Sequence, residues 1–144
     1  MTGSLSQRTE KILSELVAAT NAHDLDALVA CFAPDYRNET PAHPSRSFTG
    51  SEQVRLNWTR MFDAIPDLRA EVTQSAVDGG VAWTEWELSG TRRDGTEHLM
   101  RGVMIFTAAD GVFTSVRFYL EPVERADGDI DDTIARAAGA SPVS

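Results

Sequence analysis

The sequence predicts an α+β domain, helices first and sheet second. Three observations point there. Apolar residues recur at helical spacing as far as Ile65, beginning with Ile12, Leu13, Leu16 and Val17. From Leu68 onward the period changes toward two. Three short segments rich in residues that tolerate positive φ, Asp78-Gly79-Gly80, Asp94-Gly95 and Asp110-Gly111, divide that second half into runs of strand length. Long consecutive strands joined by such turns form an antiparallel meander. Three helices followed by a meander make a curved sheet wrapped around helices.

Taken in order, the spacing predicts a first helix over about Ser6–Asn21. Asp24 then caps a second helix carrying Leu25, Leu28, Val29 and Phe32 on one side, with Pro34 as its stop. Tyr36–Thr40 reads as extended and Pro41–Ser47 as a loop. Thr49-Gly50-Ser51-Glu52 has the capping-box pattern that opens a third helix, with Val54, Trp58, Met61, Phe62 and Ile65 inward and Pro66 at its end. Strands follow at Leu68–Val77, Val81–Arg92, His98–Ala108 and Val112–Pro122. Residues 1–124 make one domain. The stretch 125–144 is an acidic tail in which Ile130 and Ile134 mark either a short docking helix or a partly disordered end.

Composition bounds the function. A chain of 144 residues, 42% hydrophobic and 24% charged, is long enough for a real core. A net charge of -9 argues against nucleic acid and against an anionic membrane surface. No apolar run approaches a membrane span, and the polar first residues lack a signal-peptide core, so a soluble cytoplasmic protein is expected. The one cysteine, Cys31, lies in an apolar run and reads as a small buried hydrophobe. His23, His43 and His98 have no metal-ligand spacing, and no glycine-rich phosphate loop is present, so neither metal nor cofactor is expected.

The corner Asn21-Ala22-His23-Asp24-Leu25-Asp26-Ala27-Leu28 resembles the opening of SnoaL-like proteins in the NTF2-like superfamily. Further markers are Phe48-Thr49-Gly50 before the third helix, Ile65-Pro66-Asp67-Leu68 after it, the run Trp86–Thr91, and Tyr119-Leu120-Glu121-Pro122 at the end. The resemblance covers roughly Leu13–Glu124. It implies a cone-shaped α+β fold with an internal ligand pocket. Relatives include polyketide cyclases, ketosteroid isomerases, epoxide hydrolases and binding domains without catalysis. The departures are informative. The isomerase's oxyanion-hole tyrosine falls at Leu16, its basic aspartate at Thr40 and its protonated aspartate near Val103. The acidic residue of the cyclases' last strand falls at Phe118. An isomerase of the enolising type is therefore not expected.

Side chains of a strand alternate faces, and the resemblance sets the phase. It implies Tyr36, Asn38 and Thr40 inward on the first strand, and Ala82, Thr84, Trp86 and Leu88 inward before the last hairpin. Leu99, Arg101, Val103 and Ile105 would be inward on the next strand, and Val116, Phe118 and Leu120 on the last. Asn57, Trp58 and Met61 would join them from the third helix, with Leu16 from the first. Arg101 is the expected catalytic cation, since a charge phased into a pocket needs a partner or a ligand. Asn38 and Thr40 are expected to hydrogen-bond a substrate oxygen. Leu16, Tyr36, Asn57, Trp58, Met61, Thr84, Trp86, Val103 and Phe118 are expected to bind the substrate.

The expected function is a SnoaL-like cyclase of polyketide or related secondary metabolism. Ring closure, a concerted cycloaddition being one form, would proceed by positioning and carbonyl polarisation on a hydrophobic small molecule. The alternatives are a binding protein without catalysis, and an acid/base isomerase or hydrolase that uses Glu39 or His98. Trp83, Arg117 and Tyr119 share an outward phase, which suggests a homodimer through the outer sheet face.

Overall fold

The computed structural model describes residues 3–125 and 127–139. Helix α1 spans Leu5–Ala22, and a capping box joins Ser4 to Gln7 at its start. It ends at His23, whose φ of 53° makes the left-handed turn. The His23 ring stacks on Phe62 at 4.3 Å and its Nε2 meets the Leu68 carbonyl at 2.8 Å. Helix α2, Leu25–Val29, is capped by Asp24 as expected, the carboxylate accepting from the Ala27 N–H at 3.1 Å.

Strand β1 runs from Phe32 to Glu39. This corrects the reading of Phe32 as helical and of Pro34 as a helix stop. β1 pairs parallel to β6, Val112–Pro122, and its register shifts between Phe32 and Arg37. Pro34 lies in that irregular stretch, where its missing N–H breaks no ladder bond. A two-residue strand β2, Phe48–Thr49, pairs with Arg37 and Asn38. Thr49 is thereby committed to the sheet, and α3, Ser51–Ala64, starts from Gly50 at φ 102° without the side-chain cap the sequence pattern suggested. The remaining strands, β3 (Arg69–Asp78), β4 (Val81–Thr91) and β5 (Glu97–Ala109), fall within two residues of expectation.

The sheet order is β2-β1-β6-β5-β4-β3, antiparallel except for β1 against β6. Helices α1 and α3 pack on its concave face around a core that includes Leu16, Leu28, Ile65, Leu68, Trp86, Phe106 and Phe113. Gly102 lets β5 lie close against β6. A Cβ there would collide with the Tyr119 carbonyl oxygen and lie 2.8 Å from Leu120 Cα. The tail forms a helix α4, Ile130–Ala137, with both isoleucines exposed rather than docked. The part of the tail beyond residue 139 lies outside the described residues. Among the described residues no helix is long and apolar enough to cross a membrane.

Candidate functional site

The concave face of the sheet and the helices above it enclose a cavity of about 280 Å³, close to the lower end of the roughly 300–1,000 Å³ usual for small-molecule sites. Its position follows from the alternation of β1, β4 and β6. Tyr36 and Asn38 line it from β1 and Thr40 from the residue just past it, Trp86 and Leu88 from β4, and Phe118 and Leu120 from β6. Leu16 and Thr20 reach it from α1, and Val54, Asn57, Trp58 and Met61 from α3. The expected positions of Leu16, Tyr36, Asn38, Thr40, Asn57, Trp58, Met61, Trp86 and Phe118 are therefore brought together.

β5 has the opposite phase from the one expected. Trp86 pairs with Gly102, Thr84 with Met104 and Ala82 with Phe106. Directly paired residues share a face, so the inward set is Met100, Gly102, Met104 and Phe106. Arg101 and Val103 accordingly lie on the outer face and do not line the cavity. Arg101 is exposed there and donates from Nε to Glu87 Oε2 at 3.1 Å. Its expected catalytic role does not survive that placement. Neither does the expected binding role of Val103, which pairs with Glu85 and Tyr119. The corrected phase still brings no acid to the cavity, since its members are apolar. Thr84 is a further correction. It faces inward but is buried behind the lining, and its hydroxyl donates to the Met104 carbonyl at 2.6 Å while accepting from Trp86 Nε1 at 2.7 Å. Trp86 therefore offers the cavity its ring and not its N–H.

Several lining residues went unforeseen: Thr20, Phe32, Arg46, Phe48, Met100, Met104 and Phe106. The three methionines beyond Met1 all line the cavity, a soft and adaptable wall. Thr20 spends its hydroxyl on the Leu16 carbonyl at 2.7 Å. Arg46 is the only charged side chain among the described lining residues.

The polar groups form a short chain along β1. Thr40 Oγ1 donates to Asn38 Oδ1 at 3.3 Å, and Asn38 Nδ2 donates to the Tyr36 hydroxyl at 3.5 Å. Both contacts are long. Their direction leaves the Tyr36 hydroxyl hydrogen without an acceptor among the described residues. Burial pushes the Tyr36 hydroxyl well above the ordinary phenol range, against the opposing hydrogen bond from Asn38, so it remains a proton donor throughout the physiological range. Across the cavity, Asn57 Oδ1 accepts from Gln53 Nε2 at 2.8 Å, which turns the Asn57 amide N–H₂ to other partners.

The candidate bases lie elsewhere. Glu39 is held by Arg37 at 3.3 Å and does not line the cavity. His98 is buried on β5, also off the lining, with Nδ1 3.3 Å from Arg92 Nη2 and Nε2 without a partner among the described residues. Burial first, and Arg92 second, lower its pKa. Cys31 is buried, and its thiol is pushed up to about 11 by burial and then by Glu15, so it is an inert packing group. Among the described residues no three His, Cys, Asp or Glu side chains are placed to hold a metal ion.

Solved structures share this architecture. A proposed SnoaL-like polyketide cyclase from Jannaschia sp. CCS1 superposes with a TM-score of 0.70 at 20% identity, over 84% of this chain and 90% of its own. AclR, a proposed hydroxylase from Streptomyces galilaeus, gives 0.69 at 18% identity, over 83% and 92%. A proposed ketosteroid isomerase from Kribbella flavida gives 0.63 at 22% identity, over 88% and 85%. At these identities the likeness is one of fold, and the three differ in the activity their names suggest. No curated protein matches the chain. The SnoaL-like domain model matches residues 13–116, which takes in the helical corner, all of the cavity lining but Phe118 and Leu120, and most of the sheet. The chain belongs to the SnoaL-like domain family.

Proposed function

We propose that the cavity binds a hydrophobic, oxygen-bearing small molecule and closes a ring within it, as in polyketide or related secondary metabolism. The observation that carries this reading is the character of the lining: apolar and aromatic, with hydrogen-bond donors and no Asp, Glu, His, Lys or Cys among the described residues. A reaction that needs a strong protein base does not suit such a site. A ring closure that needs a folded chain and one polarised carbonyl does, and a concerted cycloaddition, which moves no proton, suits it best. Trp58, Trp86, Phe118 and the methionines would hold the chain in its reactive shape. Orientation of this kind is worth up to roughly 7–11 kcal/mol in favourable cases. The Tyr36 hydroxyl, backed by Asn38 and Thr40, would donate to the carbonyl oxygen on which charge accumulates in the transition state.

The same lining favours one other reading, a binding protein without catalysis, because no familiar catalytic acid or base is present. Incubation with a synthetic linear triene bearing a conjugated ketone, followed by mass-resolved chromatography, separates the two. Ring closure accelerated over buffer, with kcat lowered about 10²-fold or more in Tyr36→Phe and KM little changed, supports catalysis. Tight binding with no acceleration overturns it in favour of the binding protein.

The outer sheet face would form a two-fold homodimer contact. The exposure of Trp83 and Tyr119, at 55% and 37%, supports this. Light scattering tests it, since a mass near 15.7 kDa at micromolar concentration would exclude the dimer.

A further inference from the structure

We infer that the ligand carries a free carboxylate, held by Arg46 at the edge of the cavity. This rests on the reading of the cavity as the binding site and adds a substrate class to it. Arg46 is exposed, lines the cavity, and has no side-chain hydrogen bond or ion pair among the described residues. Arg60, Arg69 and Arg136 also lack such a partner among the described residues, but none of them lines the cavity. Arg37, Arg55, Arg93, Arg101 and Arg125 each reach a carboxylate within 3.5 Å.

The segment bearing Arg46 is anchored. It closes a 3₁₀ turn, Pro44–Arg46, whose Arg46 N–H donates to the His43 carbonyl at 2.9 Å. His43 Nε2 meets Glu121 Oε1 at 2.8 Å, and Ser47 Oγ accepts from the Thr40 N–H at 3.0 Å. The backbone that carries the guanidinium is thus tied to Glu121 on β6 and to Thr40 just past β1, which limits the loop ordering needed when it captures a ligand.

The balance of donors and acceptors points the same way. The acceptors Asn38 Oδ1 and Asn57 Oδ1 already have partners, from Thr40 and Gln53. The Tyr36 hydroxyl hydrogen and the Trp58 indole N–H have none among the described residues. A ligand that satisfies this cavity is rich in acceptor oxygens. A planar guanidinium matches a carboxylate with two parallel N–H donors. A single cation balances a monoanion and leaves a phosphate dianion half neutralised. The ligand class is therefore an apolar acid with an internal carbonyl or similar oxygen.

Titration calorimetry with 2-naphthylacetate and its neutral partner 2-naphthylacetamide tests this. The acid should bind wild-type protein about fivefold more tightly than the amide, the upper end for an exposed ion pair. Arg46→Gln should erase that difference, weakening the acid more than the amide. Trp58→Ala should weaken both ligands. Equal affinities in the wild type, or an acid preference that survives Arg46→Gln, overturns the role of Arg46 while the cavity reading stands. Failure of both ligands to bind at millimolar concentration overturns the cavity reading, and this inference with it.

Discussion

Replacing Gly102 with alanine probes the close pairing of β5 with β6 behind the cavity. The added Cβ would meet three backbone atoms of β6: the Tyr119 carbonyl oxygen, Leu120 Cα at 2.8 Å and Tyr119 C at 2.9 Å. None of these is the end of a flexible side chain, so relief requires the two strands to separate. Overpacking costs typically 1–3 kcal/mol, and displacing a backbone puts this case at the upper end, about 3 kcal/mol. For a chain of this size each kcal/mol moves the midpoint by about 4 °C, so thermal unfolding followed by circular dichroism should show a fall of about 12 °C. Two neighbours complete the test. Met104→Ala removes an inward side chain and should cost about 2–5 kcal/mol. Val103→Ala changes the outer face and should cost less than about 1 kcal/mol. A Gly102→Ala midpoint within a degree of wild type, or a larger loss at Val103 than at Met104, would refute the register on which the cavity's composition rests.

Arg101→Ala should change neither folding nor ligand affinity measurably, because an exposed pair with Glu87 contributes less than about 1 kcal/mol; a calorimetric loss of ligand binding in the folded variant would return Arg101 to the site. His98 gives a pH signature. Its folded pKa is lowered, so the unfolded chain binds the proton more readily, and stability is fully present above the unfolded pKa of about 6.5 and declines as pH falls through it. Urea unfolding at pH 7.5 and 5.5 should show a smaller acid loss in His98→Gln than in wild type, and equal losses would exclude His98 as the source.

Much of the architecture was legible because it rests on local rules. Asp24 caps α2, and the three Asp-Gly turns place every strand of the meander. The inward faces of β1, β4 and β6 also follow from alternation once the family resemblance sets the phase. β5 did not yield to it, because Leu99 to Phe106 carries apolar residues in both phases, Met100, Met104 and Phe106 in one and Leu99, Val103 and Ile105 in the other. The hairpin sets the phase: it closes over Arg93, Asp94 and Gly95, with the Arg92 N–H donating to the Thr96 carbonyl at 2.8 Å, whereas a two-residue Asp94-Gly95 turn would have put Trp86 opposite Val103. Its ladder begins at Thr91 with Glu97 and carries Trp86 to Gly102, which alone assigns Arg101 to the outer face. Phe32 was misplaced because it continues the helical spacing of Leu25 and Leu28, while its strand pairing with Phe113 is set by a partner some eighty positions away. Arg46 and Phe48 sit in a turn and a two-residue strand, where no periodicity exists to give a face.

The central claim is that the cavity polarises a ligand oxygen through the Tyr36 hydroxyl, with Asn38 and Thr40 behind it. Infrared difference spectroscopy of bound 2-acetylnaphthalene, labelled with ¹³C at the carbonyl, reads that polarisation at the bond concerned. A hydrogen bond weakens the C=O bond and lowers its stretching frequency. The account predicts a lower carbonyl frequency in the wild-type complex than in Tyr36→Phe, and an intermediate value in Asn38→Leu, where the hydroxyl remains but its supporting donor is gone. The same frequency in wild type and Tyr36→Phe, with the ligand bound in both, would contradict it.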